Sequence, residues 1–141
     1  MIILDASVAL SWLISRSSPN EAITSQQALH AAMAHGALVP HLWIWEVMNG
    51  LLAAERHGGV TTQDGISFQA DLDSLPISLD TVPLYSLRKK IFSFARTFQL
   101  TAYDATYIEL AERVSAPLAT FDRKLAKAAR AAGIPVFGDP A

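Results

Sequence analysis

Met1-Ile2-Ile3-Leu4-Asp5-Ala6-Ser7 opens the chain, and its reading decides the fold. Three apolar residues, two of them β-branched, run straight into a carboxylate. An amphipathic pattern then starts at Val8, Leu10, Trp12 and Leu13. The β-branched run suits a strand and the later spacing suits a helix. In open α/β sheets, ligands bind outside the carboxyl ends of the strands, so Asp5 stands where such a fold places chemistry. Asp is also among the best helix N-caps, and for Asp5 taken alone capping is the simpler role. What decides between them is whether other carboxylates converge on it.

Downstream, short apolar runs alternate with helical patterns. Ser15 to Asn20 reads as a loop with Pro19 among its breakers. Helices are expected over Glu21–Ala34, closed by Gly36, and over His41–His57, closed by Gly58-Gly59. Another runs from a Thr61 or Thr62 cap to about Leu72, and others over Pro83–Phe98, Thr101–Val114 and Asp122–Ala132. Between them Ala37–Pro40, Pro76–Asp80, Pro117–Thr120 and Ile134–Phe137 read as strands. This alternation means βαβ units: an α/β three-layer sandwich with a mainly parallel five-stranded sheet and helices on both faces. No repeat, low-complexity tract or internal linker interrupts it, so residues 1–141 are read as a single domain. The His41–His57 helix is apolar on two sides, with one stripe at Leu42, Trp45, Met48 and Leu52 and another at Trp43, Val47, Leu51 and Ala54. One of those faces is a candidate subunit contact.

Composition narrows the function classes. The chain is 51% hydrophobic and only 17% charged, against about 25% charged in an ordinary soluble domain. Its mean hydropathy is positive. Too little polar surface in a small domain points to apolar surface covered by a partner, hence an oligomer or complex. The net charge is −2, from 11 basic and 13 acidic residues. That does not advertise nucleic-acid binding and does not exclude it, because distribution matters more than sum. The absence of cysteine excludes disulfides, Cys-zinc and iron–sulfur sites and a thiol nucleophile. The opening stretch has no basic n-region and is broken by Asp5, so it does not read as a signal peptide. No apolar run is long enough for a membrane span, and the cytoplasm is the expected compartment.

Four acids are placed oddly for surface charges. Asp5 and Asp122 follow strands, Asp104 lies near a helix start, and Glu46 lies inside the apolar Leu42-Trp43-Ile44-Trp45-Glu46-Val47-Met48. Asp104 and Asp122 each have a capping alternative, and Glu46 an alternative on a narrow polar strip with Asn49. Glu46 is the most telling, because no basic residue lies within a helical turn of it. A buried carboxylate must be paired, hydrogen-bonded or metal-bound. Several carboxylates at strand ends, with no Cys and no His at zinc-ligand spacing among His30, His35, His41 and His57, make a hard-oxygen site suited to Mg²⁺ or Mn²⁺. Such ions catalyse phosphodiester hydrolysis. Ser7 and Thr120 are neutral oxygens beside two of the acids, fit for a water or a phosphate, or for local capping. Tyr103 and Tyr107 flank Asp104 and read first as packing residues, with base stacking as the alternative.

These motifs together resemble the PIN-domain nucleases. Ile3-Leu4-Asp5-Ala6-Ser7 is similar to that family's opening, and Val39-Pro40 with Trp43-Ile44-Trp45-Glu46-Val47 to its second acidic motif. Leu100-Thr101-Ala102-Tyr103-Asp104-Ala105-Thr106-Tyr107 resembles the third, and Leu118-Ala119-Thr120-Phe121-Asp122-Arg123-Lys124-Leu125 the fourth. The size resembles the VapC-type toxins of type II toxin–antitoxin pairs. The resemblance implies a Rossmann-like five-stranded sheet and a Mg²⁺- or Mn²⁺-dependent ribonuclease, with Asp5, Glu46, Asp104 and Asp122 holding the metal. It also implies a homodimer inhibited by a small antitoxin protein.

An RNA substrate needs cations near its phosphates. Arg123, Lys124, Lys127 and Arg130 share the helix that starts after Asp122, whose first-turn amides also suit an anion. Arg88-Lys89-Lys90 is a second cluster that reads first as a solvated face. Other classes fare less well. A haloacid-dehalogenase-type domain wants a second Asp where Ser7 stands, and a receiver domain wants a lysine after a late strand. A dinucleotide module wants G-x-G-x-x-G after the first strand. A catalytically dead partner-binding scaffold and a housekeeping RNA-processing nuclease remain as alternatives to a toxin.

Overall fold

The computed structural model describes residues 1–140, and in it the expected alternation of strands and helices is realised. The elements are β1 (Ile2–Leu4), α1 (Ala6–Leu10), α2 (Pro19–His35), β2 (Ala37–Val39), α3 (Leu42–Arg56) and α4 (Thr62–Asp73), then β3 (Ile77–Leu79), α5 (Leu84–Phe98), α6 (Ala102–Val114), β4 (Leu118–Ala119) and α7 (Arg123–Ala131). All strand pairs are parallel, in the order β3-β2-β1-β4. The order reverses between β1 and β4, which makes the crevice above those two strands the topological switch point. It differs from the 2-1-3-4-5 order of receiver-type sheets.

The sheet has four strands, not five. Ile134–Phe137 is reduced to a single parallel bridge between Leu118 and Val136. Leu118 N–H donates to Pro135 O and Phe137 N–H to Leu118 O. Pro135 has no N–H to extend the ladder, and the positive φ of Gly133 and Gly138 turns the chain away on either side.

Successive strand residues face opposite sides of a sheet, and Ile2, Ile3 and Leu4 are all buried. Both faces of β1 are therefore covered. Seven consecutive residues of α6, Ala105 to Ala111, are also buried, so this helix runs through the interior. Each fully buried Leu or Ile contributes roughly 1.5–3 kcal/mol. On α3, Trp43, Val47 and Leu51 form the buried stripe, while Trp45 and Leu52 on the other apolar side are exposed.

Local chemistry sets the ends. Pro19 is not a breaker but the first residue of α2, one position after the Ser18 cap, where its missing N–H costs nothing. Thr61 and Asp64 form a capping box at α4. Gly50 is where α3 comes close to α1: a methyl there would lie 2.3 Å from Leu10 Cδ1. That approach sets the helix carrying Glu46 against the one that follows Asp5.

Candidate active site

The end of β1 is tied to the end of β4. Asp5 N–H donates to Ala119 O at 2.9 Å. Asp5 then occupies the N-cap position of α1, yet its side chain makes no capping hydrogen bond. Its Oδ2 instead accepts from Ser7 Oγ at 2.6 Å and from Thr120 Oγ1 at 2.7 Å. Each of these oxygens accepts an amide in turn: Phe121 N–H on Ser7 and Asp122 N–H on Thr120, both at 3.0 Å. With its lone pairs so engaged, each hydroxyl is left to point its proton at Asp5. Ser7 and Thr120 are thus the donors that fix the carboxylate.

The other three acids arrive from separate helices. Asp122 is the N-cap of α7, its Oδ1 accepting from Lys124 N–H at 2.9 Å and Leu125 N–H at 3.1 Å. Its capping role is real, and it already occupies the amides that looked suited to an anion. Asp104 is not the cap of α6; Thr101 is, accepting from Asp104 N–H at 3.1 Å. Glu46, partly buried on α3, accepts from the Tyr107 hydroxyl at 2.5 Å.

These acids feel one another. Burial pushes the Asp5 carboxyl above the ordinary range, more than the Ser7 and Thr120 hydrogen bonds and the Ala6 amide lower it, and the Asp122 charge adds to the rise. Burial likewise raises Glu46; the Tyr107 hydrogen bond opposes this, and the charges of Asp5, Asp104 and Asp122 reinforce it. Burial raises Asp104 too, helped by Asp122 and Asp5 and opposed by Lys124. The Tyr107 phenol is pushed far upward by burial and by Asp5 and Glu46, so it remains a donor. Among the described residues no lysine or arginine forms an ion pair with any of the four acids.

Mutually repelling oxygen donors with no protein cation paired to them are the chemistry a hard divalent ion suits, and on donor type and electrostatics the set fits Mg²⁺ or Mn²⁺. Among the described residues, no three acidic or histidine side chains stand close enough together to grip one ion as they are placed.

A second buried group of acids looks similar and is not. Asp80, just beyond β3, and Glu109 on α6 are buried, and both are paired to Arg113. Asp80 takes a bidentate contact at 2.6 and 3.2 Å, and Glu109 accepts at 2.7 and 3.2 Å. Neither acid stood out in the sequence, although Glu109 and Arg113 have ion-pair spacing on one helix. Tyr107 was read only for packing or stacking. The available signal was its place in an apolar helical stretch, since a buried tyrosine hydroxyl needs a partner.

The basic residues divide. Arg123, Lys124 and Lys127 are exposed on α7, and Lys124 acts on Asp104. Arg130 is held in a two-bond pair with Asp139 at 2.7 and 2.8 Å. In the other cluster, Arg88 lies over the Tyr85 ring and Lys90 pairs with Glu112.

A PIN-domain family model matches residues 2–131. The chain belongs to the PIN-domain family. It is 29% identical over 131 residues to VapC ribonuclease Mb0985 of Mycobacterium bovis and equally to ribonuclease VapC9 of Mycobacterium tuberculosis, with 93% of each chain covered. Ribonuclease VapC3 of Pyrobaculum aerophilum is 29% identical over 129 residues, covering 89% of this chain and 92% of that protein. Among solved structures, PAE2754 from Pyrobaculum aerophilum superposes with a TM-score of 0.65 at 25% identity, over 90% of this chain and 78% of that one. FitAcB from Neisseria gonorrhoeae shares the fold, with a TM-score of 0.63 at 21% identity over 97% and 96% of the two chains. In this PIN domain Asp5 and Asp122 follow the two strands that flank the switch point, and Glu46 and Asp104 lie near enough to feel their charges.

Proposed function

We propose that this PIN domain is a divalent-metal-dependent ribonuclease, the toxin of a toxin–antitoxin pair. The observation that carries the reading is the set of four acids, at least three with raised affinity for a proton, meeting around two strand ends with no protein cation paired to them. The names of the VapC relatives support ribonuclease activity. Asp5, Glu46, Asp104 and Asp122 would hold Mg²⁺ or Mn²⁺. When bound, such an ion polarises a phosphoryl oxygen and makes hydroxide available near neutral pH.

The chain's own residues prepare for this. Ser7 and Thr120 keep Asp5 oriented, and burial at the switch point limits water around it. Asp122 stays tied to the first turn of α7. Lys124, with Arg123 and Lys127 on the same helix, supplies positive charge beside the acids, where an RNA phosphate would approach.

The surface supports a homodimer. Leu42, Leu84, Leu87, Ile91, Phe92 and Tyr103 line a mainly apolar cavity of about 350 Å³ beside the acids rather than at them. Leu84, Phe92 and Tyr103, and Trp45 on α3, are exposed in the single chain. An antitoxin partner follows from the same family reading. Among the described residues no helix is long and apolar enough to cross a membrane.

The test is cleavage of a mixed RNA pool by the purified protein without its partner, in Mg²⁺ or Mn²⁺ and in chelator. Discrete metal-dependent fragments, lost in Asp5→Asn and Asp104→Asn, are the expected result. A folded protein that neither cleaves nor binds Mn²⁺ would overturn the reading in favour of a binding scaffold.

A further inference from the structure

We infer that Tyr107 is a positioning residue for Glu46, holding its carboxylate in place for the cation; the inference rests on the metal-dependent reading above. Three observations carry it. The Tyr107 side chain is fully buried at 0% exposure, so its hydroxyl is delivered from a rigid, packed ring. That hydroxyl donates to Glu46 Oε1 at 2.5 Å, linking α6 to α3 across 61 residues of sequence. Among the described residues, it is the one side-chain hydrogen bond the Glu46 carboxylate receives.

Without that bond little would keep Glu46 in place. A glutamate has three side-chain torsions, and ordering them all is entropically costly. Asp5, Asp104 and Asp122 all repel it, and partial burial leaves it a route toward solvent. A single donor on a fixed ring opposes this drift, tying one carboxylate oxygen and leaving the second for an ion. Asp5 is held differently, by two hydroxyls from its own neighbourhood and from β4. Asp5 and Glu46 thus each have dedicated O–H donors. For Glu46 that donor comes from the helix that also carries Asp104, so Tyr107 couples the placement of two of the four acids.

Tyr107→Phe keeps the packed ring and removes only the donor. Losing an outer partner of a metal-holding side chain typically costs 10–100-fold in metal affinity, and a Mn²⁺ affinity lower by roughly tenfold is expected, read by calorimetry on the full chain. A double-mutant cycle separates positioning from general distortion. In a Glu46→Gln background the phenylalanine should cause no further loss, because its effect passes through the Glu46 charge. Each variant's Mn²⁺-induced rise in melting temperature, taken against its own metal-free value, gives the same comparison even if one variant is less stable. Equal Mn²⁺ binding by Tyr107→Phe and the unaltered protein would overturn the inference alone. So would a loss that persists undiminished in the Glu46→Gln background. Failure of the unaltered protein to bind Mn²⁺ would overturn the metal reading itself, and this inference with it.

Discussion

Asp5 and Asp80 occupy matching positions. Each directly follows a strand at the carboxyl edge of the same parallel sheet, and they are 7% and 8% exposed. What answers their charge differs. Asp80 meets the Arg113 fork, which also satisfies Glu109, and Glu109 and Asp80 in turn hold that guanidinium in its charged form. Asp5 meets two neutral hydroxyls and, beyond them, three more acids. Burial of a carboxylate therefore does not mark a site by itself. The unanswered charge does: one group is settled by the fold, and the other is left to be settled by something that binds.

The largest expected effect separates the two at once. Asp5→Asn should reduce RNA cleavage by roughly 100- to 1000-fold, the scale of losing a preorganised electrostatic group. The same change should stabilise the metal-free protein near neutral pH, because it removes a buried charge whose carboxyl burial pushes above the ordinary range. A variant that unfolds more easily than its parent by denaturant titration would break the comparison.

Arg113→Met reverses the pattern. It strands two buried carboxylates, a loss worth about 3 kcal/mol in folding stability, with cleavage per folded molecule unchanged. A melt that does not move would mean that Asp80 and Glu109 find other partners.

The pH dependence sharpens the contrast further. Asp5, Glu46 and Asp104 have folded-state pKa values raised above their unfolded ones, burial being the main cause. The folded state therefore binds their protons more tightly. The stability they contribute is complete below the ordinary carboxylate range, near pH ~4, and is lost as pH rises through the raised folded values. The melting temperature of the metal-free protein should fall over that interval. Asp5→Asn should flatten the fall, and an unchanged slope in that variant would show that Asp5 does not drive it.

The smallest effect concerns the donors. Thr120→Val removes one of the two hydroxyls on Asp5 and should cost about 1 kcal/mol of stability, as for one hydrogen bond. Chemical denaturation checks this. A loss as large as that of Arg113→Met would show that Thr120 does more than orient the acid.

Much of the frame was legible beforehand. Strand and helix order follow from local period and from caps, and Thr61, Thr101 and Asp122 sit where such residues start helices. Four candidate acids stand out in the sequence because Asp5 and Asp122 follow strands, Asp104 lies near a helix start and Glu46 lies in an apolar stretch with no nearby base. What escaped was long-range or subtle. The fifth strand failed at Pro135, where one missing N–H mattered more than the apolar run around it. Composition marks Pro19 as a breaker but does not say on which side of a helix start it falls. Arg130 looked like a free cation until Asp139 folded back onto it.

The sequence by itself determined the alternating α/β order, the placing of Asp5 and Asp122 just after short apolar runs, and the lack of any nearby base for Glu46. Those properties are local, set by which residues stand within a turn or a strand of one another. Only the tertiary structure decided which acids remain unanswered. Tyr107 reaches Glu46 across 61 residues, Arg113 reaches Asp80 across 33, and Thr120 reaches Asp5 across 115. Electrostatic balance depends on distance in space and on burial, and neither is encoded in any short window of the chain.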